Sequence, residues 1–257
     1  MLAFFLGAIA LLLIGLILIS WFMPRWLGVE GKTLWDWVSL LLVPSMVGFG
    51  TALISFTQYQ SEQERAREVA VQQFIDRVSQ WTIAPPADAP AEKVGTVLRA
   101  QTMTILRMVE GKRAGQVVGF LAELNLLQQL DLEFEALELA GADLKALDLR
   151  GIDFEESSLR GAELERSDLG GADLSRSDLS GADLKAANLN GASLEAAELK
   201  DAELDHADLR GADLRGARGL TDKQLSLACL DQSSRLPNGF DLASLAPTGC
   251  HGEPLDD

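Results

Sequence analysis

Residues 161–190 read GAELERSDLGGADLSRSDLSGADLKAANLN, and the same five-residue spacing extends from Phe134 to Leu214. Every fifth residue of this stretch is Leu or Phe. The residue two positions before it is small or apolar, and the residue directly before it is Asp, Glu, Asn or Ser. Self-similarity at a fixed period indicates a repeat architecture, so the repeat is interpreted before any local propensity.

A period of five fits neither of the regular secondary structures. An α-helix would spread these apolar residues around its whole circumference, and a strand would alternate them between two faces. A chain that turns a corner every five residues keeps them on one side. Four such units predict a square coil of about twenty residues, with successive coils stacked about 4.8 Å apart.

The glycines of this stretch recur at fixed places in the twenty-residue period. Glycine is typical of positions that need a positive φ or a close approach of two backbones. Because glycine fills alternate corners, the sequence predicts two turn types that alternate around the coil. The two glycine columns are Gly151, Gly171, Gly191 and Gly211, and Gly141, Gly161 and Gly181 followed by Asp201.

The pattern A-(D/N)-L-x-x over residues 131–218 resembles the pentapeptide-repeat family. The resemblance covers about a third of the chain and implies a right-handed quadrilateral β-helix of about four coils. The segment 111–121, GKRAGQVVGFL, is similar to the stretch that precedes the repeats in some bacterial members. The resemblance implies the fold and says little about the function.

Two apolar runs without charge precede the repeats, at residues 2–22 and 37–57. About twenty apolar residues are enough to span a bilayer core. A signal peptide is the alternative for the first run, but no basic region precedes this run and no small-residue cleavage site follows it. We therefore predict a transmembrane hairpin over 1–57, which makes the chain a membrane-anchored family member with the lipid bilayer as a partner.

Ser45, Gly48 and Ala52 lie at helical spacing in the second run and form a face of small residues. Small residues let membrane helices approach closely. The face fits packing within the hairpin, and it equally fits self-association between chains. A homo-oligomer therefore stays open as an alternative.

Basic residues around the two runs predict the orientation. The loop between the runs carries Arg25 and Lys32, and the segment after the second run carries Arg65, Arg67 and Arg77. An excess of Lys and Arg favours the cytoplasmic side. The predicted location is the bacterial inner (cytoplasmic) membrane, with two spans and a cytoplasmic repeat domain. The resemblance implies the same, because pentapeptide-repeat domains are commonly cytoplasmic.

The remaining segments divide the chain further. Residues 58–81 are predicted to form a juxtamembrane helix, which either continues the second run as a stalk or pairs with a partner helix. Residues 82–91 are predicted to form a proline-rich linker that no helix can run through. Residues 92–130 are predicted to form a helical cap over the open first coil. Residues 219–257 are predicted to form a capping helix and a flexible tail, and the sequence TDKQ at 221–224 has the spacing of a capping box.

The composition limits the chemistry. A net charge of −16 argues against binding nucleic acid through its phosphates. The two His and two Cys lie in no motif that indicates a catalytic triad or a zinc site. No catalytic, cofactor or metal site is therefore predicted, and an enzyme is not expected. Cys229 and Cys250 can be free or paired, and free thiols are expected in a cytosolic domain.

In a stacked coil, one outward column is wholly acidic. This acidic ladder consists of Asp143, Glu163, Asp183 and Glu203. Like charges on neighbouring strands are unfavourable, and a column of alternating sign runs beside the ladder. The face is therefore either solvated and offset by that column, or a docking surface for a basic partner or a cation. The alternating column consists of Lys145, Glu165, Lys185 and Asp205.

These observations predict a non-catalytic, membrane-anchored scaffold or protein-interaction module for an unidentified protein partner, or an accessory subunit of a membrane complex. The alternative is a self-assembling membrane channel or transporter accessory. The spans contain no ionisable residue that could line a pathway, which argues against this alternative. The family resemblance brings a third hypothesis, a DNA-mimicking gyrase-binding protein. The two spans and the small number of coils argue against it.

Overall fold

The computed structural model describes residues 34–84, 91–130, 132 and 134–245. The chain divides into two compact units, Met1–Arg65 and Ala66–Asp257, and the repeat region lies in the second. The described residues form six helices, and the coil lies between the fourth and the fifth. The helices are α1 Leu34–Ile83, α2 Ala91–Met108, α3 Lys112–Glu123, α4 Leu126–Leu130, α5 Asp222–Leu227 and α6 Leu242–Leu245.

The coil is held by parallel β-bridges between residues twenty positions apart, such as Asp143 with Glu163. At this bridge the Leu144 N–H donates to the Glu163 carbonyl at 2.8 Å, and the Glu163 N–H donates to the Ala142 carbonyl at 2.9 Å. The same pairing repeats along the stretch. Because backbone N–H and C=O groups of one coil pair with those of the next, a shift of register would break several hydrogen bonds at once.

Every corner of the coil has a residue with a positive φ at the same place in the repeat. Each fifth residue from Ala136 to Gly216 has a positive φ, whether or not it is glycine: Ala146 has 53° and Gly171 has 67°. A positive φ is therefore not confined to the glycine corners, as the predicted alternation of two turn types implied. At the glycine corners the positive φ has no steric cost, because glycine has no Cβ. At the other corners a residue with a side chain adopts the positive φ and bears that cost.

The Asp or Asn before each repeat Leu stabilises its own turn. The Asp173 carboxylate accepts the N–H of Ser175 at 2.9 Å, and the Asp178 carboxylate accepts the N–H of Ser180 at 3.0 Å. Asn188 accepts the N–H of Asn190 in the same way, at 3.0 Å. A short side chain that bonds the backbone two residues on is an Asx turn. This bond explains why the repeat favours Asp and Asn at this position.

The interior of the coil is a column of Leu and Phe flanked by small residues. The repeat Leu side chains are buried, and Phe134 and Phe154 pack with ring centroids 5.7 Å apart. Ser167 and Ser177 occupy small inward positions, and their hydroxyls donate to the carbonyls of Leu164 and Leu174 at 2.7 Å. Each buried Leu contributes about 1.5–3 kcal/mol before the entropy cost of ordering, and the serines leave no unpaired hydroxyl.

Helix α3 covers the first coil at close range. A Cβ placed on Gly115 would lie 2.8 Å from the Cβ of Ala142, and one on Gly111 would lie 2.7 Å from the carbonyl oxygen of Ala140. The Gly111 N–H also donates to the Glu138 carbonyl at 2.8 Å. The segment 92–130, predicted to be a helical cap, consists of α2, α3 and α4, and two glycines allow α3 to approach the first coil.

The far end of the coil is extended by the residues that follow the repeats. The capping box is present, because the Thr221 side chain accepts the Gln224 N–H and the Gln224 side chain accepts the Thr221 N–H. After α5, Cys229 and Arg235 form parallel bridges with Asp208 and Asp213. The tail therefore adds two further rungs to the coil in addition to the short helix that the sequence predicted.

The predicted fold class, a right-handed quadrilateral β-helix with a two-helix transmembrane hairpin, needs correction. The described part of the coil consists of isolated bridges and turns, with no continuous strand. Among the described helices, none combines the length and the apolar character that crossing a membrane requires. The two-span inner-membrane location predicted from the sequence is therefore wrong.

The two predicted spans have different outcomes. The first, residues 2–22, lies outside the described residues. The second, residues 37–57, is part of α1, which continues without a break to Ile83 and includes Pro44. The apolar run is thus joined in one helix to the charged segment 58–81, which is the continuation that the sequence left open for the juxtamembrane helix.

The positive φ at every corner predicts that glycine is preferable at the corners that lack it. Replacing Ala146 by Gly should raise the free energy of unfolding by about 1 kcal/mol, because the left-handed conformation costs a side chain about that much. Urea unfolding followed by circular dichroism measures the difference. Ala182→Gly is the control, since this inward Ala is buried without a positive φ, and it should destabilise. Equal effects at both positions would contradict the prediction.

The contact between α3 and the coil predicts opposite effects for one substitution at two helical glycines. Gly115→Ala should destabilise, because its Cβ would meet Ala142 at 2.8 Å. Gly95→Ala in α2 should stabilise by about 1 kcal/mol, because a Cβ there meets nothing within 4 Å and Ala is the better helix former. Thermal unfolding of both variants checks the signs, and a tolerated Gly115→Ala would show that the cap does not lie this close.

Candidate functional site

The four residues of the acidic ladder are brought together by the coil. Asp143 bridges to Glu163, Glu163 to Asp183 and Asp183 to Glu203, so the four carboxylates follow one another on adjacent coils. The backbones of Glu163 and Asp183 are bridged on both sides, and those of Asp143 and Glu203 on one side. The ladder is therefore a rigid column whose spacing is set by the backbone.

Two lysines beside the ladder pair with it. Lys145 forms an ion pair with Glu163, and Lys185 forms one with Glu203 and lies 3.6 Å from the Asp183 carboxylate. The pKa of Lys145 is raised, mainly by its hydrogen bond to Glu163, and the pKa of Lys185 is raised, mainly by its hydrogen bond to Glu203. The column of alternating sign thus offsets part of the ladder's charge, as one of the two interpretations of the sequence expected.

The face nevertheless keeps an excess of negative charge. Glu165 and Asp205 occupy the other places in the alternating column, and the nearest guanidinium to Glu165 is that of Arg166 at 3.8 Å. His206 stands at a corner of the same face with φ 60°. The side chains of the Lys145–Glu163 pair are each 44% exposed, so the pairing is accessible to a partner.

The other faces carry Asp–Arg pairs that the reading of the sequence missed. Arg210 donates to both carboxylate oxygens of Asp208 through its Nε and Nη2 atoms, and Arg215 does the same to Asp213. Hydrogen bonds from Arg215 lower the pKa of Asp213 to about 2, and Arg235 adds a further bond. The sequence Asp-Leu-Arg indicates these pairs, because residues two positions apart in a strand point to the same face.

The predicted transmembrane packing residues lie in α1, within the first compact unit. Ser45, Gly48 and Ala52 are all exposed, and a Cβ on Gly48 would meet nothing within 4 Å. Large apolar side chains around them, including Leu53 and Ile54, are also more than half exposed. A packing role for these three residues stays a prediction.

Cys229 forms a disulfide bond, so the expectation of a free thiol at this position is wrong. In the part of the chain that the structure describes, no group of three or more His, Cys, Asp or Glu side chains is placed to hold a metal ion. Asp231, which lies between the last two rungs, accepts hydrogen bonds from Ser233 and Gly211, and these bonds lower its pKa to about 2.

The family profile described as pentapeptide repeats matches residues 138–176 and 177–216 with eight copies. The matched residues are those that form the rungs and corners of the coil. The chain belongs to the pentapeptide-repeat family. The match ends at residue 216, although the bridges of this pentapeptide-repeat protein continue to Arg235. No curated protein shows significant sequence similarity to it.

Solved structures of the family resemble the repeat region. A pentapeptide-repeat protein of the cyanobacterium Cyanothece 51142, Rfr23, is 32% identical over 38% of this chain and 67% of its own, with a TM-score of 0.33. A pentapeptide-repeat protein of Nostoc, alr5209, is 33% identical over 40% of this chain and 73% of its own, with a TM-score of 0.17. QnrB1, a plasmid-mediated fluoroquinolone resistance protein, is 18% identical over 37% of this chain and 60% of its own, with a TM-score of 0.26.

The paired carboxylates predict a loss of stability in acid. The pKa of Asp213 is about 2 in the folded chain and about 3.9 in an unfolded one. Because the folded pKa is the lower, the pair stabilises fully above pH 4 and its contribution disappears as the pH falls from about 4 towards 2. Asp213→Asn should therefore show a smaller drop in the urea midpoint between pH 5 and pH 2 than the parent protein.

A second variant separates the ion pair from the carboxylate itself. Arg215→Gln removes the main donor to Asp213 and should reduce the same pH-dependent drop. Asp213→Asn should then change the decrease in the urea midpoint between pH 5 and pH 2 by less in the Arg215→Gln background than in the parent protein. Fully additive effects would show that the pair does not cause the pH dependence.

Proposed function

We propose that this pentapeptide-repeat protein is a non-catalytic protein-interaction scaffold, and that the acidic ladder of Asp143, Glu163, Asp183 and Glu203 is its docking surface. The observation that carries the proposal is the fixed stacking of these four carboxylates on consecutive rungs. The partner that fits this surface is a protein with basic side chains spaced to match the rungs.

The rigidity of the coil supports this proposal. The rungs of neighbouring coils are held together by backbone hydrogen bonds, such as the bond from the Leu164 N–H to the Asp183 carbonyl at 2.8 Å. A surface that is already ordered loses little conformational entropy when a partner binds. The coil thus suits recognition by a flat, preformed face.

The two lysines of the face bear on the specificity. Pairs at the surface such as Lys185 with Glu203 contribute little to stability, because water screens them and ordering two long side chains is costly. A partner arginine can therefore replace a lysine at Glu163 or Glu203 at small cost, and it gains a bidentate geometry that lysine lacks. An arginine-rich surface fits the ladder better than a lysine-rich one.

The experiment is a cross-linking capture of partners by the full-length chain, followed by titration of the recurrent partner. In the test variant the ladder is neutralised by Asp143→Asn, Glu163→Gln, Asp183→Asn and Glu203→Gln. Asn at residues 143 and 183 keeps an acceptor for the turn that Asp183 stabilises through the Lys185 N–H. The partner should be lost, and its affinity for the parent chain should fall as the salt concentration rises.

A matched variant removes the same number of carboxylates from another face of the coil. It carries Glu135→Gln, Glu155→Gln, Glu156→Gln and Glu195→Gln, and it should keep the partner. If both variants lose the partner equally, only the total charge matters and the ladder is not the docking surface. Binding that is insensitive to salt would also contradict the proposal.

A further inference from the structure

A groove outside the coil runs between the second half of α1 and α2. It has a volume of about 430 Å³ and is lined by side chains from residues 70–77 of α1 and 96–108 of α2, all within the second compact unit. Ligand sites commonly have volumes of about 300–1,000 Å³ and lie between elements of this kind. Its dimensions are therefore those of a small-molecule site.

The floor and the rim of the groove are mostly apolar. Phe74 and Ile105 form part of the floor and are buried, whereas Val97 and Met108 are 41% and 51% exposed. Ala100 lies between them on α2 and keeps the groove open, because its side chain is small. An apolar chain placed here would cover side chains that otherwise face water.

One charged residue, Arg77, belongs to the groove lining. Among the described residues it has no carboxylate within ion-pair distance. The guanidinium groups of the coil differ in this respect, since Arg150, Arg160 and Arg215, for example, each contact a carboxylate. An unpaired guanidinium beside an apolar floor favours an anionic group, which it can bind through two parallel hydrogen bonds.

Gln101, also in the lining, adds a third requirement. Its Oε1 atom is buried and accepts no hydrogen bond within the described part of the chain. A buried acceptor without a donor destabilises the folded chain. Rotation of the Gln101 side chain would turn this oxygen toward the groove, where an N–H or O–H group of an occupant would supply the missing donor.

We propose that this groove binds a single-chain amphiphile that has an apolar tail, a hydrogen-bond donor and a carboxylate, as in an N-acyl amino acid. The tail lies on Phe74 and Ile105, the carboxylate binds Arg77, and the donor faces Gln101. This site is independent of the acidic ladder, and its test does not depend on the scaffold function.

The charge of the groove argues against a second copy of the chain as the occupant. A symmetric pairing of two grooves would bring a second Arg77 to the first, and the groove lining includes no carboxylate to meet it. The single cation is matched instead by a ligand with a single negative charge.

Calorimetric titration of the full-length chain with N-dodecanoylglycine, below its micelle concentration, tests the proposal. N-dodecanoylglycinamide, which lacks the charge, should bind about tenfold more weakly, and dodecanoate, which lacks the N–H, should also bind more weakly. Arg77→Gln should remove the preference for the charged ligand, and Gln101→Leu should remove the preference for the N–H. Arg107→Gln is the matched control on α2 and should change neither preference.

Amphiphiles also bind to exposed apolar surface such as that of α1, so the result rests on variants that change the groove alone. Ala100→Trp fills the groove from an exposed position and should abolish saturable binding, whereas Ala66→Trp, exposed on α1 outside the groove, should leave it intact. Circular dichroism confirms that both variants are folded. Saturable binding that survives Ala100→Trp, equal affinity for all three ligands, or no saturable binding would each overturn the proposal.

Discussion

The coil depends on one backbone constraint, a residue with positive φ at every fifth position. This conformation turns the chain at each corner and brings residues twenty positions apart into register. Nine of these corner residues are not glycine and include Glu156, Arg166 and His206, so the fold bears an unfavourable conformation many times over. The bridges between coils and the burial of a Leu or Phe in each repeat offset that cost.

The repeat, its period and its inward residues could be predicted from the sequence, because each is a local pattern that recurs. The corner conformation could not, because glycine indicates a positive φ while Ala146 or Arg176 in the same place gives no sign of it. The extension of the coil past residue 218 was missed for a related reason. Cys229 and Arg235 occupy rung positions without the residues of the motif, and only their backbone hydrogen bonds identify them.

The candidate surfaces differ in how far the sequence could indicate them. The acidic ladder follows from the period alone, and the structure adds Lys145 and Lys185, which form ion pairs with three of the four ladder carboxylates. The membrane prediction was drawn from composition, and composition does not show that the second apolar run and the charged segment after it share one helix. The groove between α1 and α2 joins residues that are more than twenty positions apart, with Arg77 on one helix and Gln101 on the other. No periodic pattern connects them.

The rungs beyond the last repeat affect how the protein can be shortened. The backbone of Cys229 forms hydrogen bonds with Ala207 and Leu209, and that of Arg235 forms hydrogen bonds with Ala212 and Leu214. A chain cut where the recognisable repeats end would leave these donors and acceptors as an open edge. Such an edge can pair with the edge of another molecule, which is a common start of aggregation. The natural end of the folded domain is therefore marked by its backbone pairing and lies well after the end of its motif.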